Sequence, residues 1–257
     1  MKQRQKTIAI DIASYLAAYG LDRLPPLSQP AVLTFNTHVY DRLRSRAPVI
    51  TSTTQPAHGG NFFDWASPSS PARVFCSGDG GSAAAFTTEV LIARGVPYII
   101  ALAHVASFAG SSVVRSGDLF VPAAIISGDG TSRAYCPDRP HVSQYPDLAA
   151  RARTILRAYG GSESAGLGYS VDSYFVPVPN DPKLWIDTSS QTLDMESAAF
   201  LAVCHHHNHP ALLVQVVAAE IHDRQWVARQ PDGNAALDRF AAALPTLLAL
   251  HIFSAPQ

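Results

Sequence analysis

Charge is scarce in this sequence. Only 15% of its residues are Asp, Glu, Lys or Arg, and acids and bases nearly cancel to a formal −1. That balance excludes the broad basic field that holds nucleic acid or an anionic membrane surface. Cysteine is scarcer still. Cys76, Cys136 and Cys204 are odd in number and far apart, which excludes a disulfide framework and fits reduced thiols in a cytoplasmic protein. Long apolar runs are also missing, and each stops well short of the roughly 20 residues that cross a bilayer. The N-terminal MKQRQKTIAIDIASYLAAYG has the basic-then-apolar order of a secretion signal, but Asp11 interrupts it and no small-x-small cleavage site follows. It reads instead as an amphipathic helix stopped at Gly20. No Gly-x-Ser-x-Gly elbow is present, which excludes the usual serine hydrolase arrangement.

What is present is apolar residue in quantity. At 257 residues and 47% hydrophobic, the chain can bury a large core in one domain, with residues 1–30 as a helical extension. Ile8, Ile12, Tyr15, Leu16 and Tyr19 recur at helical spacing. LPPLSQP (24–30) breaks the chain before a short strand at Ala31–Phe35, and a helix is expected around Tyr40–Arg44. Residues 51–72 read as a loop or ragged hairpin, although Phe62, Phe63 and Trp65 call for burial. Then strand (Arg73–Ser77), glycine turn (Gly78–Gly81), helix (Ala83–Arg94) and strand (Pro97–Leu102) form a βαβ unit, which implies parallel strands. Further strands are expected at Asp118–Ile126, Ala165–Val171 and Ala211–Ala218. Helices are expected at Pro146–Tyr159, Asp194–His207 and Asn234–Ile252, the last strained at Pro245. No internal repeat appears, and alternating elements point to an α/β domain.

Two segments carry chemistry. In SGDGGSA (77–83), glycines between a strand and a helix let the backbone approach a ligand, and a helix N-terminus offers N–H groups to an anion. A plain tight βα connection would use the same residues. Its spacing is not G-x-G-x-x-G and no acid ends the next strand, so a dinucleotide is disfavoured. In LDMESAAFLAVC (193–204), small residues let a helix pack closely on a sheet. Glu196 stands at the helix start, where a carboxylate is favoured and can accept bonds from a vicinal diol. Asp194 as a helix cap and Glu196 as a solvated acid would leave the same pattern. His205 and His209 have the i,i+4 spacing of zinc ligands, but Asn208 and Pro210 end the helix there, so no metal is expected.

Taken in order, these motifs resemble the nucleoside phosphorylase superfamily. GDGGSAAAFTTEVLIARGV is similar to that family's G-x-G-G-P-S-A…E-E-L…G-A segment. SGDLFVPAAIISGDGTSRAY (116–135) is similar to its "VGD-hydrophobic-VPTxAIRxDGTS" stretch, SVDSYF (170–175) to "S-x-D-x-F-Y", and LDMESAAF to "[VE]-[DE]-M-E-x-A-A". The match runs from about Arg73 to about Ala219, with a weaker extension over AVLTFNTHVYDRL (31–43). VCHHHNHPALLVQVV (203–217) is particularly similar to the methylthioadenosine/adenosylhomocysteine nucleosidase branch. The resemblance implies a three-layer α/β/α fold with a central mixed, twisted sheet. It also implies a homodimer or trimer of dimers, and cleavage of the N-glycosidic bond of a nucleoside without a cofactor, phosphate being a possible co-substrate. Carried over position by position, Glu196 would hold the ribose 2′ and 3′ hydroxyls, Met195 would pack under the sugar and Tyr174 would cover the base. Arg42 and the backbone of Gly78, Gly80 and Gly81 would hold phosphate.

The departures fall on the reacting groups. Where the family writes "I-I-R-x-G-T-x-G", this chain has IIALAHVA (99–106), so Ala101 replaces the phosphate-binding arginine and His104 the threonine. The family's loop arginine has no counterpart in QPAHGGNFFDW (55–65). Charge-assisted hydrogen bonds are worth about 1.5–3 kcal/mol each, so two missing arginines weaken phosphate capture by roughly 10³-fold unless His104 and Arg42 compensate. The purine branch's catalytic aspartate aligns with Ala219, which makes Glu220, with a raised pKa, the replacement acid. A salt-bridged Glu220 at a strand end is the alternative. VPVPND (176–181) lacks the Gln and Arg of the uracil-reading branch. Phosphate and water both stand as nucleophile, with a non-catalytic nucleoside-binding protein of the same fold as the competing class.

Overall fold

A strand buried on both faces must carry apolar residues at every position rather than at alternate ones. IIALAHVASF is such a strand. It forms Ile99–Phe108 (β5), with nearly every residue buried, at the centre of the sheet. The computed structural model describes residues 10–20, 22, 26–48, 50–51, 62–66, 71–108, 111, 113–139, 141–175, 189–222 and 225–250. Along one edge of β5 runs Ala211–His222 (β11), parallel to it from Ile99 to Phe108. The other edge is shared. Ala31–Thr34 (β1) pairs parallel with Ile99–Leu102, and Ser190–Asp194 (β10) pairs antiparallel with Ala106 and Ser107. β1 and β10 therefore approach each other head-on, and both stop short of Ala103–Val105. That gap in the pairing fixes where the functional cavity forms.

From β1 the sheet continues through Ala72–Cys76 (β4, parallel), Phe62–Trp65 (β3) and Ile50–Thr51 (β2), the last two antiparallel. From β10 it continues through Leu167–Val171 (β9), Ala124–Gly128 (β7) and His141–Ser143 (β8). Leu119–Phe120 (β6) and Gln225–Ala228 (β12) each pair antiparallel with β11. The sheet is thus mixed, as expected.

Period-two alternation assigns the two faces to two cores. Val32, Ile100, Leu102, Leu212, Val214 and Val216 point to one core. It is completed by Thr37–Arg46 (α2), Pro146–Arg157 (α5) and Gln230–Leu248 (α7). Leu33, Ile99, Ala101, Ala103 and Leu213 point to the other, against Gly81–Ala93 (α3) and Ser197–His206 (α6). Helix, sheet and helix make the three layers. Ile12–Ala18 (α1) is capped by Asp11, stops at Gly20 with φ +68°, and buries Leu16 against Val90 of α3.

Some boundaries differ from the sequence expectation. The single strand expected at Asp118–Ile126 is two strands, β6 and β7, broken around Pro122, which has no N–H for a ladder. Gly130–Tyr135 (α4) begins at Asp129, whose side chain accepts from Ser132 N at 2.7 Å. α7 starts four residues before Asn234 and carries Pro245 within it, while Ile252 lies outside the described residues. Among the described residues no helix is long and apolar enough to cross a membrane, and the three cysteines are free.

Strand spacing makes one glycine indispensable. A Cβ on Gly128 of β7 would run into the carbonyl oxygen of Ser170 and stand 2.8 Å from the Tyr169 ring on β9. Neither group is free to retreat. Gly128→Ala is expected to destabilise by about 1–3 kcal/mol, as overpacked cores do. The check is urea denaturation, where the midpoint should fall at unchanged slope.

Candidate functional site

The gap beside β5 opens into a cavity of about 220 Å³. It is lined by Phe35, Asn36, Asp79, His104, Tyr174, Met195, Glu196 and Trp226. Phe35 and Asn36 follow the end of β1, Asp79 lies in the glycine turn after β4, and Met195 and Glu196 follow β10. Tyr174 follows β9. His104 comes from β5 itself, and Trp226 from β12. Carboxyl ends of strands are where open α/β sheets place ligands. Of the residues singled out from sequence, the structure brings Glu196, Met195, Tyr174 and His104 together here.

Glu196 is the most constrained of them. Only 7% of it is exposed, and its Oε1 accepts from Gly80 N at 2.6 Å while Oε2 accepts from Met195 N at 3.2 Å. Gly80 has φ +96°, a conformation open to glycine at no steric cost, and that turn aims its N–H at the carboxyl. The glycine turn therefore cradles a carboxyl group belonging to the chain itself. Gly81 does something else: a Cβ there would sit 3.2 Å from Ala199 Cβ, so it lets α3 pack closely on α6. Gly78, Gly80 and Gly81 do not line the cavity.

Behind Glu196 lies Asp194, fully buried in a polar network. Its carboxylate accepts from the hydroxyls of Ser170 and Ser197, from Ser197 N at 3.4 Å and from Gln215 Nε2 at 3.3 Å. Thr192 Oγ1 donates to Gln215 Oε1 at 2.7 Å and so holds the amide in orientation. With those donors Asp194 carries the negative charge of the pair, and the shared proton falls to Glu196. Burial first, then the Asp194 charge, push Glu196 up to about 8. Burial, then Asp194, Glu196 and Asp79, raise the Tyr174 phenol as well.

That shift has a sign that can be checked. Between about 4.5 and 8 the folded chain keeps a proton on Glu196 that the unfolded chain has lost, so this group lowers stability progressively as pH rises across that window. Glu196→Gln removes the titration. In thermal denaturation the variant should match the parent near pH 5 and gain on it steadily up to pH 8. A constant difference between the two at all pH values would contradict this placement of the proton.

His104 contributes an unusual imidazole. Its Nε2 is buried without a hydrogen-bond partner, and burial, reinforced by His38 at 6.0 Å between ring centroids, lowers its pKa to about 4. It is neutral at pH 7 and can accept or donate a proton bond, but it is no cation for phosphate. Tyr174 and Trp226 form the aromatic part of the wall, with centroids 5.2 Å apart and planes at 43°.

Besides the three glycines, two expected site residues lie outside the cavity lining. Arg42, on α2, gives Nε and Nη2 to Asp238 of α7 at 2.8 and 2.7 Å, and Arg46 grips the same carboxylate. It ties two helices together and does not line the cavity. Glu220 is absent from the cavity lining too. The antiparallel β11–β12 pair brings Arg229 to it at 3.3 Å and His222 lies at 3.0 Å, so its pKa is lowered rather than raised, chiefly by the His222 bond. A carboxylate so paired is a poor proton donor. The histidine run disperses: His205 stacks on Tyr145, His207 meets Glu89 at 2.9 Å, and His209 Nε2 is buried. Residues 176–181 lie outside the described residues.

Phe35, Asn36, Asp79 and Trp226 went unread in the sequence. Asp79 could have been found as the one acid inside the glycine turn, and Asn36 as the cap that follows a parallel strand. Trp226 had no local signal.

A family model described as phosphorylase superfamily matches residues 31–249. No protein of curated function matches by sequence. Among solved structures, the purine nucleoside phosphorylase of Toxoplasma gondii in complex with immucillin-H is similar, with a TM-score of 0.74 at 15% identity, covering 88% of this chain and 93% of that one. A futalosine hydrolase mutant of Helicobacter pylori strain 26695 is similar with a TM-score of 0.68 at 15% identity, covering 87% of this chain and 100% of that one.

Proposed function

The chain belongs to the phosphorylase superfamily, and from that premise we propose that it is a nucleoside hydrolase, cleaving the N-glycosidic bond with water rather than phosphate. Similar folds include a phosphorylase and a hydrolase, so the fold leaves the nucleophile open and the residues must choose it. One observation carries the choice. Among the described residues the cavity is lined by two carboxyl groups and a neutral histidine, without a lysine or arginine. A phosphate dianion needs charge-assisted donors, and the described lining offers it no cation.

In this reading the ribose lies across Glu196, whose ionised carboxylate accepts its 2′ and 3′ hydroxyls, with Met195 beneath the ring. The base sits against Tyr174 and Trp226. As the C1′–N bond lengthens, positive charge develops on the sugar, and the nearby carboxylate stabilises it in a desolvated setting. Water then attacks C1′ and gives its proton to the imidazole of His104, the neutral base in the wall. A weak base suffices, because water bonding to an oxocarbenium ion becomes acidic as the bond forms.

The test is product analysis. A panel of ribonucleosides is incubated with and without phosphate, and free ribose and ribose 1-phosphate are measured. Free ribose at the same rate in both buffers is expected. Phosphate-dependent ribose 1-phosphate would replace hydrolysis with phosphorolysis, and tight binding without any cleavage would make the chain a binding protein.

A further inference from the structure

We infer that the substrate is a nucleoside whose base bears a fixed positive charge, such as an N-ribosylated pyridinium or an N-alkylated purine. This rests on the hydrolytic reading above and narrows it. Three features of the cavity agree. Its wall combines the rings of Phe35, Tyr174 and Trp226, and aromatic faces attract a cation through their quadrupoles. Asp79 and Glu196 open onto the same space, with the Asp194 charge close behind Glu196. Lysine and arginine are absent from the described lining, so nothing there balances these carboxyls. A cationic ligand takes the place of the proton that Glu196 otherwise holds beside Asp79 and the Asp194 charge, and a neutral one does not.

Chemistry points the same way. A neutral base leaves readily only if a proton reaches it, yet the acids at hand are committed elsewhere. Glu196 acts on the sugar only after giving up its own proton, since it must accept both ribose hydroxyls, Asp79 receives Asn36 Nδ2 at 3.3 Å, and Glu220 is paired with Arg229 and His222. A cationic base needs no proton. When its C1′–N bond breaks, the electron pair returns to the ring nitrogen and the base departs neutral. The water oxygen forms the new bond to C1′, and the water proton passes to the His104 imidazole and on to solvent. Cationic riboside and water thus give ribose, neutral base and one proton.

Nicotinamide riboside and its 1,4-dihydro form differ by one hydride and one unit of charge, which makes them a matched pair of probes. Both are assayed with inosine and uridine for ribose release in phosphate-free buffer, and their affinities are measured by calorimetry under conditions too brief for turnover. The cationic riboside is expected to bind at least about tenfold more tightly than its dihydro form and to be hydrolysed with kcat/KM at least about 100-fold above inosine. Trp226 is half exposed, so Trp226→Leu should fold, and it should reduce the preference for the cation over its dihydro form. Neutral nucleosides cleaved as efficiently as the cation would overturn this inference and leave hydrolysis standing. A preference unchanged in Trp226→Leu would overturn the aromatic recognition. Release of ribose from none of the four would overturn both readings.

Discussion

Glu196→Gln is expected to lower kcat/KM for a ribonucleoside by about 10²–10⁴-fold, since hydrogen bonds to a charged acceptor are worth about 1.5–3 kcal/mol each. The amide retains the size of the side chain but offers one acceptor oxygen, uncharged, where two hydroxyls require two. It also loses the negative charge beside the sugar as the glycosidic bond opens. A folding defect would not explain the loss, because the same variant should be the more stable protein at pH 8. The parent should show kcat/KM rising with pH toward about 8 as Glu196 ionises, and the variant should not. Steady-state kinetics across pH 5–9 check both. A loss under about tenfold would remove Glu196 from the sugar site.

His104→Ala comes next in size, with kcat expected to fall by about 10²–10³-fold, the range for a positioned proton acceptor. KM should change little, because the imidazole receives its proton only after the glycosidic bond has opened. Two readouts separate this from a packing effect. Added imidazole should restore part of the variant's activity by entering the vacated volume. In the parent, where the bound ribose hydroxyls hold Glu196 ionised, kcat should hold as pH falls until the imidazole protonates near 4, and drop below that, because burial keeps His104 neutral through the range in which an exposed histidine would charge. An inflection near 6.5 would show that a different group takes the proton.

The layered fold was legible because its signal is local. Each segment declares whether apolar residues recur at two, at every position, or at three and four, and the β5 and β11 runs admit little besides doubly buried strands. Glu196 and Tyr174 were legible because the residues flanking them have a family pattern. Contacts made across the sheet were not. Arg42 reads as a free cation in its own segment, and nothing near it reveals Asp238, 196 positions away. Glu220 reads as an available acid until β12 folds back and delivers Arg229. Trp226 lies on that same short strand, which has neither length nor alternation enough to stand out. The glycine turn has the residues of an anion cradle, and the group that Gly80 N meets in the fold is the chain's own Glu196 carboxyl. Only the pairing register explains why the cavity forms where it does: β1 and β10 end against each other along β5 and leave His104 between them.

The central claim is that the Glu196 carboxyl grips the two adjacent hydroxyls of a furanose, and a double cycle of protein and substrate tests it most directly. The kcat/KM of parent and Glu196→Gln is measured with a riboside and with its 2′-deoxy counterpart. If the carboxyl and the hydroxyl touch, deleting the hydroxyl should cost the parent at least about tenfold more than it costs the variant. Equal losses in the two proteins would mean that the sugar is held by other groups.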